Sequence, residues 1–273
     1  MPEGPEIRIA ADQVEKAVIM KPLLEVSFGL PELKGYDEWF TGQAVSAIQT
    51  KGKALLTHFD NGFTIYSHNQ LYGKWYVTDS FTYPKTNRQL RLALHTEDKS
   101  ALLYSASDIQ VLKTEDVPMH PFVKKVGPDI LSEDVTANDL QFHMEDKRFF
   151  RRNLGGLLLD QAFVAGIGNY LRTEILFVTG IHPSKRPCDL TAEKRQDLAK
   201  AVIQLMERAY RTKGITLDPE IVTRKKAAGE PRSQYRHFAF DRHMEPCYQC
   251  GGPIEKINVA SRRLYVCPRC QPN

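Results

Sequence analysis

No stretch of the 273-residue chain approaches eighteen apolar residues, so no helix of it is expected to span a bilayer. The opening residues, MPEGPEIRIA, carry two acids before their first base and no apolar run, the reverse of a secretory leader. A cytoplasmic address is therefore expected. Internal repeats and low-complexity tracts are missing too, and with 42% hydrophobic and 26% charged residues the composition excludes a fibrous or wholly disordered chain. Neither sign of charge dominates, the net value being only +4. Its distribution is uneven, however: residues 1–130 hold 14 Lys and Arg against 16 Asp and Glu, and residues 131–273 hold 23 against 17. A basic carboxyl half suits a polyanionic partner, although a solvated charged surface gives the same count.

The length exceeds that of one hydrophobic core, so at least two domains are expected. From Pro5 to Val18, Ile7, Ala10, Ala11, Val14 and Val18 recur at helical spacing behind a proline in the first turn, which predicts an amphipathic helix. The period then changes. Short segments at 44–48, 54–59, 63–67, 75–78, 90–94 and 101–104 are separated by turn signals such as Asp60-Asn61-Gly62 and Glu97-Asp98-Lys99. Six short strands at close spacing predict an antiparallel sandwich or barrel. The segment PMHPFVKKVGP at 118–128 reads as a linker. Beyond it, apolar residues at helical spacing over 154–163, 169–179 and 191–209 predict a small bundle. The non-periodic, basic string RKKAAGEPRSQ at 224–234 reads as a mobile loop. The organisation expected is α+β and multidomain: residues 1–117 as a helix plus β-sandwich, 118–128 as linker, 129–235 as helical domain and 236–273 as a cysteine-rich hairpin.

Cysteine is scarce, five residues in all, yet four of them form Cys247-x-x-Cys250 and Cys267-x-x-Cys270 with sixteen residues between the pairs. Two such knuckles joined by a hairpin supply four thiolates in a tetrahedron, the shell that a structural Zn²⁺ takes. Two disulfides are the alternative, and a cytoplasmic address disfavours them. Segments 254–257 and 264–266 would form the hairpin strands, with Arg262 and Arg263 at the tip, where guanidiniums can meet a phosphate backbone. Cys188 stands apart as an unliganded thiol.

Pro2 becomes the first residue once Met1 is removed. An α-amino group titrates near pH 8 against about 10.4 for a lysine side chain, so its unprotonated fraction at neutral pH is larger by roughly two orders of magnitude. Such an amine can attack an anomeric carbon to give an iminium, an electron sink for elimination of a neighbouring phosphate. Glu3 beside it can move a proton if burial lifts its pKa.

The run Pro2-Glu3-Gly4-Pro5-Glu6, the turn Lys51-Gly52-Lys53, Gly166-Ile167-Gly168-Asn169 between helices and the terminal four-cysteine hairpin together resemble the formamidopyrimidine-DNA glycosylase and endonuclease VIII family. The likeness runs over the whole chain in order. Ser67-His68-Asn69-Gln70-Leu71-Tyr72-Gly73, Leu103 to Asp108 and Leu158 to Phe163 resemble its endonuclease VIII branch. The 8-oxoguanine branch carries a methionine where Leu71 stands.

What the resemblance implies is base-excision repair of duplex DNA: a bifunctional glycosylase and abasic-site lyase acting on oxidised pyrimidines, with a helix-two-turns-helix element and one structural zinc. The Pro2 nitrogen would be the nucleophile, Glu3 the proton donor, Lys53 a cation near the lesion phosphate and Arg262 a phosphate grip assigned to the second elimination, with Arg263 its neighbour. Gln70, Leu71 and Tyr72 would fill the void left by the flipped nucleotide, and Asn169 would hold a phosphate at a helix amino terminus. Lys125 stands where the nearest relatives carry arginine, which keeps the charge and loses the fork. Glu6 and Glu174 would orient the amine and Asn169. The expected partner is double-stranded DNA with a damaged base, bound by a monomer beside the bacterial nucleoid, with no membrane. Two rivals stay open: the sister enzyme on oxidised purines, and a catalytically silent zinc-ribbon DNA binder.

Overall fold

The computed structural model describes residues 2–273, so the processing of Met1 concerns a residue outside those described. The chain divides into two compact units, one running to Lys125 and the other from Val126 to Asn273.

In the first unit, helix α1 (Gly4–Val18) buries Ile7, Ala11, Val14, Ala17 and Val18 along one face, as their spacing requires. Eight strands follow: β1 (Glu25–Phe28), β2 (Val45–Lys51), β3 (Ala54–Phe59), β4 (Phe63–His68), β5 (Lys74–Asp79), β6 (Leu90–His95), β7 (Lys99–Tyr104) and β8 (Asp108–Lys113), with the short helix α2 (Asp37–Phe40) between β1 and β2. They form two antiparallel four-stranded sheets, ordered β2-β3-β4-β8 and β1-β6-β7-β5. Inward residues of both sheets, among them Phe28, Leu55, Ile65, Leu92 and Leu103, share one core with α1. That is the sandwich expected from the alternation. The outer face of the first sheet is covered separately, Leu56 and Tyr66 packing against Val117 and Phe122, the latter on helix α3 (Pro121–Lys125).

Two strands, β1 and β8, escape the sequence reading. The first has only four residues, and the second begins inside the Leu103–Asp108 motif, whose turn at Ser105 hides the return to extended backbone.

The second unit contains helices α4 (Ala137–Met144), α5 (Leu154–Leu157), α6 (Asn169–Val178), α7 (Ala192–Arg211) and α8 (Pro219–Ala227), then the hairpin β9 (Glu255–Val259) and β10 (Arg262–Val266). The long helix expected from residue 154 to 163 is a single turn. At Gly155 a Cβ would lie 2.8 Å from Val259 Cγ1 and 2.9 Å from Pro183 Cβ, so the chain packs there with its backbone against its neighbours. The first four residues of the basic string, 224–227, are not the loop expected from its composition. Asp218 accepts from Glu220 N–H at 2.9 Å and Pro219 opens the first turn, so α8 runs into the string as far as Ala227. Lys225 then pairs with Glu230 at 2.7 Å. The cysteine hairpin is not a separate body either, since Leu264 and Val266 lie in one core with Leu171 and Ile175 of α6.

Candidate functional site

Pro2 is half-buried and lines a cavity of about 330 Å³ with Glu6, Ile9, Asn69, Leu71, Tyr72 and Arg88 among the other walls. Glu3, 3% exposed, is the N-cap of α1, and its own N–H donates to Glu6 Oε2 at 3.0 Å. Glu6 thus fixes the backbone that carries both Glu3 and its neighbour Pro2. A side chain at the amino end of a helix meets the positive end of the helix dipole, which favours carboxylates there.

The β2–β3 hairpin turns through Gly52 at φ 60°, where L side chains are disfavoured. That turn presents Lys53, whose side chain is almost wholly buried at 8% exposure. Strand β4 ends at His68, a residue to which sequence reasoning gave no role. Burial lowers the His68 pKa; Asp108 opposes the shift and Lys53 adds to it. Neutral His68 accepts at Nδ1 from Gln70 N–H at 3.0 Å, so its ring proton sits on Nε2.

Gln70, Leu71 and Tyr72 form the turn between β4 and β5. Gln70 has φ 48°, its Oε1 accepts from Ser107 Oγ at 2.8 Å, and Gly73 N–H donates to Asn69 O at 2.7 Å. A Cβ on Gly73 would come within 2.5 Å of that same oxygen, so the turn closes only with glycine. Arg88 Nη1 donates to Tyr72 O. Leu71 and Tyr72 are 55% and 69% exposed and lie outside the sandwich core. Two apolar side chains held outward on a braced turn have the form that insertion between bases requires. Lys125 ends α3 and is exposed.

In the second unit, Gly168 is the N-cap of α6 and Asn169 the first helical residue. The Asn169 amide is therefore not consumed in capping. The loop before it is braced by Gln161, whose Oε1 accepts from Gly166 N–H at 3.0 Å and whose Nε2 donates to Ile167 O at 2.9 Å. The residue that orients Asn169 is Arg172, not Glu174. Arg172 is fully buried; its Nη2 donates to Asn169 Oδ1 at 2.6 Å and to Arg263 O at 3.1 Å, and its Nη1 donates to Gly155 O at 2.7 Å and Val259 O at 3.2 Å. One guanidinium thus ties the start of α6 to both strands of the hairpin.

Glu174 has another task. Fully buried, it accepts from Phe238, Ala239 and Phe240 N–H at 2.6, 2.8 and 2.9 Å and from Thr216 Oγ1 at 2.5 Å. Burial raises its pKa and these four donors oppose the rise. His237 beside it is pushed down to about 3 by burial, then by Arg236 and Arg232, and is neutral. Glu174 therefore pins together the two ends of the basic excursion that contains α8.

The hairpin turns at Ala260 and Ser261, both at positive φ, and Arg262 and Arg263 follow as exposed residues at the start of β10. Successive strand residues face opposite ways, so Arg262 shares the face of Leu264, whose side chain packs in the α6 core. Arg263 shares the face of Tyr265, to whose pKa it contributes.

The four hairpin sulfurs lie within 4.8 Å of one another, with Cys250 and Cys267 at 3.4 Å and Cys247 and Cys270 at 3.8 Å. These separations are far too long for disulfides, whose sulfurs sit about 2.05 Å apart. A tetrahedron with zinc–sulfur bonds of about 2.3 Å has edges of about 3.8 Å, so the donor set fits Zn²⁺. The Gly252 N–H, ahead of the neighbouring thiols, holds Cys250 down to about 7, while burial pushes the Cys247 and Cys270 thiols up, so a metal bound here would displace protons from that pair. Cys188 lies outside this group.

Residues 1–107 match the formamidopyrimidine-DNA glycosylase N-terminal domain, residues 126–220 the formamidopyrimidine-DNA glycosylase H2TH domain, and residues 245–273 the zinc finger found in FPG and IleRS. The chain is 47% identical over 271 residues to Endonuclease 8 of Escherichia coli O17:K52:H18, covering 99% of this chain and 100% of that one, and the same holds for Endonuclease 8 of Shigella flexneri. Its fold matches that of the Lactococcus lactis Fpg protein in complex with a THF-DNA and an inhibitor, with a TM-score of 0.82, 22% identity and full coverage of both chains. A structure of MutM with DNA containing carbocyclic 8-oxo-G gives the same values.

Proposed function

Because the chain belongs to the formamidopyrimidine-DNA glycosylase and endonuclease VIII family, of DNA glycosylases that are also abasic-site lyases, we propose that it excises oxidised pyrimidines from duplex DNA through an iminium on Pro2. The observation that carries this reading is one cavity with Pro2 and Glu6 on its walls and the wedge residues Leu71 and Tyr72 at its edge. A base in a duplex is out of reach until its nucleotide is everted, and the emptied stack needs a filler. An exposed wedge bordering the cavity of the nucleophile serves both needs.

Once Met1 is removed, the Pro2 nitrogen lone pair attacks C1′ of the everted nucleotide. The glycosidic bond breaks, the base leaves with the bond's electron pair, and the N–H proton of the now cationic ring nitrogen passes to the base, which restores the nitrogen lone pair. Glu3 delivers a proton to the ring oxygen, the C1′–O4′ bond opens, and the nitrogen lone pair closes the iminium. Loss of a C2′ proton then expels the three-prime phosphate. A second elimination expels the five-prime phosphate, and water releases the sugar remnant from Pro2. Buried Lys53 supplies a cation at the scissile phosphate. Asn169 and the arginine pair Arg262 and Arg263 hold the flanking phosphates, with Arg262 on the face nearer α6, and Lys125 adds charge without a fork. The zinc bound by Cys247, Cys250, Cys267 and Cys270 is structural and fixes the hairpin that carries the two arginines. The enzyme is expected to work as a monomer in the cytoplasm; no helix among the described residues is long and apolar enough to cross a membrane.

Borohydride added during turnover is expected to trap a covalent protein–DNA adduct at the amino terminus, located by peptide mass spectrometry. Pro2→Gly should lose most of the lyase activity, and an unchanged trapping yield would contradict the role of the ring nitrogen. On duplexes differing only in the lesion, thymine glycol and dihydrouracil should be cleaved faster than 8-oxoguanine. The reverse order in initial rates would move the enzyme to the purine branch.

A further inference from the structure

The cavity at Pro2 has a neighbour. Tyr72 and Arg88 line both it and a second groove, of about 680 Å³, that also takes in Thr86, Asn87, Gln89, Arg91 and Ser105. The two are set apart by what they contain. The first holds Pro2 and Glu6; the second holds none of the reactive residues, no acid, and two arginines. Neither arginine forms an ion pair among the described residues. A surface hollow with two uncompensated guanidiniums and amide and hydroxyl neighbours is a site for an anion with several acceptor oxygens.

The groove is built before a ligand arrives. Gln89 Oε1 accepts from Arg91 Nη2 at 2.6 Å, and Ser105 N–H donates to Gln89 O at 2.8 Å. Among the described residues Arg91 Nη2 donates to Gln89 and Nε is buried without a partner, so the donor capacity left for a ligand lies at the terminal nitrogens of the guanidinium. Arg88, through Tyr72 O, links the groove mechanically to the wedge.

We propose that this groove binds the phosphodiester backbone of the strand opposite the everted nucleotide, with Arg91 as its main phosphate contact. The inference rests on the reading of the protein as a duplex-DNA glycosylase. A wedge in the base stack parts the two strands, and Tyr72 and Arg88 are the partition here: the damaged strand occupies the side with the nucleophile, and the undamaged strand takes the other. Arg88 then makes wedge position and partner-strand grip a single event.

The test is binding of duplexes carrying an uncleavable abasic analogue, with one neutral methylphosphonate linkage walked along either strand. With the wild-type protein, one or two linkages in the undamaged strand should weaken binding several-fold. Arg91→Ala should lose that penalty, binding the neutral and charged linkages alike, and its salt slope should fall by about one, the share of one phosphate contact. Asn87→Asp, at an exposed position, should weaken binding to normal duplex and be partly rescued by the same neutral linkage. Should Arg91→Ala bind no duplex at all, the Asn87→Asp rescue decides. Penalties that vanish on the damaged strand instead, or that persist unchanged in Arg91→Ala without rescue in Asn87→Asp, overturn the proposal. Because nothing is cleaved in this assay, borohydride trapping on a true lesion reports separately on the glycosylase reading.

Discussion

Glu3→Gln is expected to slow base release by about 10²- to 10⁴-fold, the usual worth of a positioned proton donor, while cleavage of a preformed abasic site survives. The argument starts from where the carboxyl sits. Glu3 follows Pro2, is buried to 3% exposure and sits at the amino end of α1, held there by Glu6. Breaking a glycosidic bond leaves negative charge on the departing base or on the ring oxygen, and a nearby acid must meet it. An abasic site is already in equilibrium with its open aldehyde, so the amine can condense without that help. Gln matches Glu in size and keeps the helix start filled, and it carries no proton of useful acidity. Base release should be followed by alkaline strand scission after short reaction times, and lyase activity by direct nicking of an abasic duplex. Equal loss of both activities with an unchanged melting temperature would mean that Glu3 acts in both steps. Equal loss with a lowered melting temperature would reduce it to a helix cap.

The difference between those outcomes matters because sequence patterns reveal some kinds of residue and hide others. The cysteine quartet was legible because metal spacing is local: two knuckles and a hairpin specify the shell wherever the rest of the chain goes. Strands β3 and β4 were legible for a similar reason, Asp60-Asn61-Gly62 marking the turn between two alternating segments. Helix α8 is hidden in the sequence because its start signal, Asp218-Pro219, lies ahead of the basic string whose composition suggests a loop. Arg172 and Glu174 show the deeper limit. Both occupy helix α6 as ordinary charged residues in the sequence, and both are fully buried in the fold. Their roles depend on carbonyls and N–H groups more than sixty residues away, such as Val259 O for Arg172 and Phe238 N–H for Glu174. Buried charge is tolerated only with such partners, and one chain read in order does not bring them together. The expectation that Glu174 orients Asn169 failed on that point: the two lie near in sequence, and Arg172 takes the contact.

Removal of zinc, or Cys267→Ser, is expected to weaken duplex binding by about two orders of magnitude. Structural zinc contributes about 10–16 kcal/mol in small finger peptides near neutral pH, comparable to the roughly 5–15 kcal/mol that stabilises a whole domain. Here the hairpin has two other anchors: Leu264 and Val266 in the core with α6, and Arg172 through Val259 O and Arg263 O. Those anchors grip β9 and β10 from one side only. Without metal, Cys247 and Cys267 become buried thiols in the neighbouring core, and the knuckles that close the far end of the hairpin have no reason to converge. The register of β9 against β10 then fails, and the turn at Ala260 and Ser261 no longer sets where Arg262 points. Losing two charge-assisted phosphate contacts at about 1.5 kcal/mol or more each lowers affinity near 100-fold. Arg172 is meanwhile left with fewer carbonyl acceptors, so Asn169 loses its orientation in the same step. Metal content by elemental analysis, far-ultraviolet circular dichroism and anisotropy of a labelled abasic-analogue duplex would follow the three consequences together. A zinc-free protein that retains full affinity would show that Arg172 and the apolar anchors suffice to hold the hairpin, and that the metal is dispensable for grip.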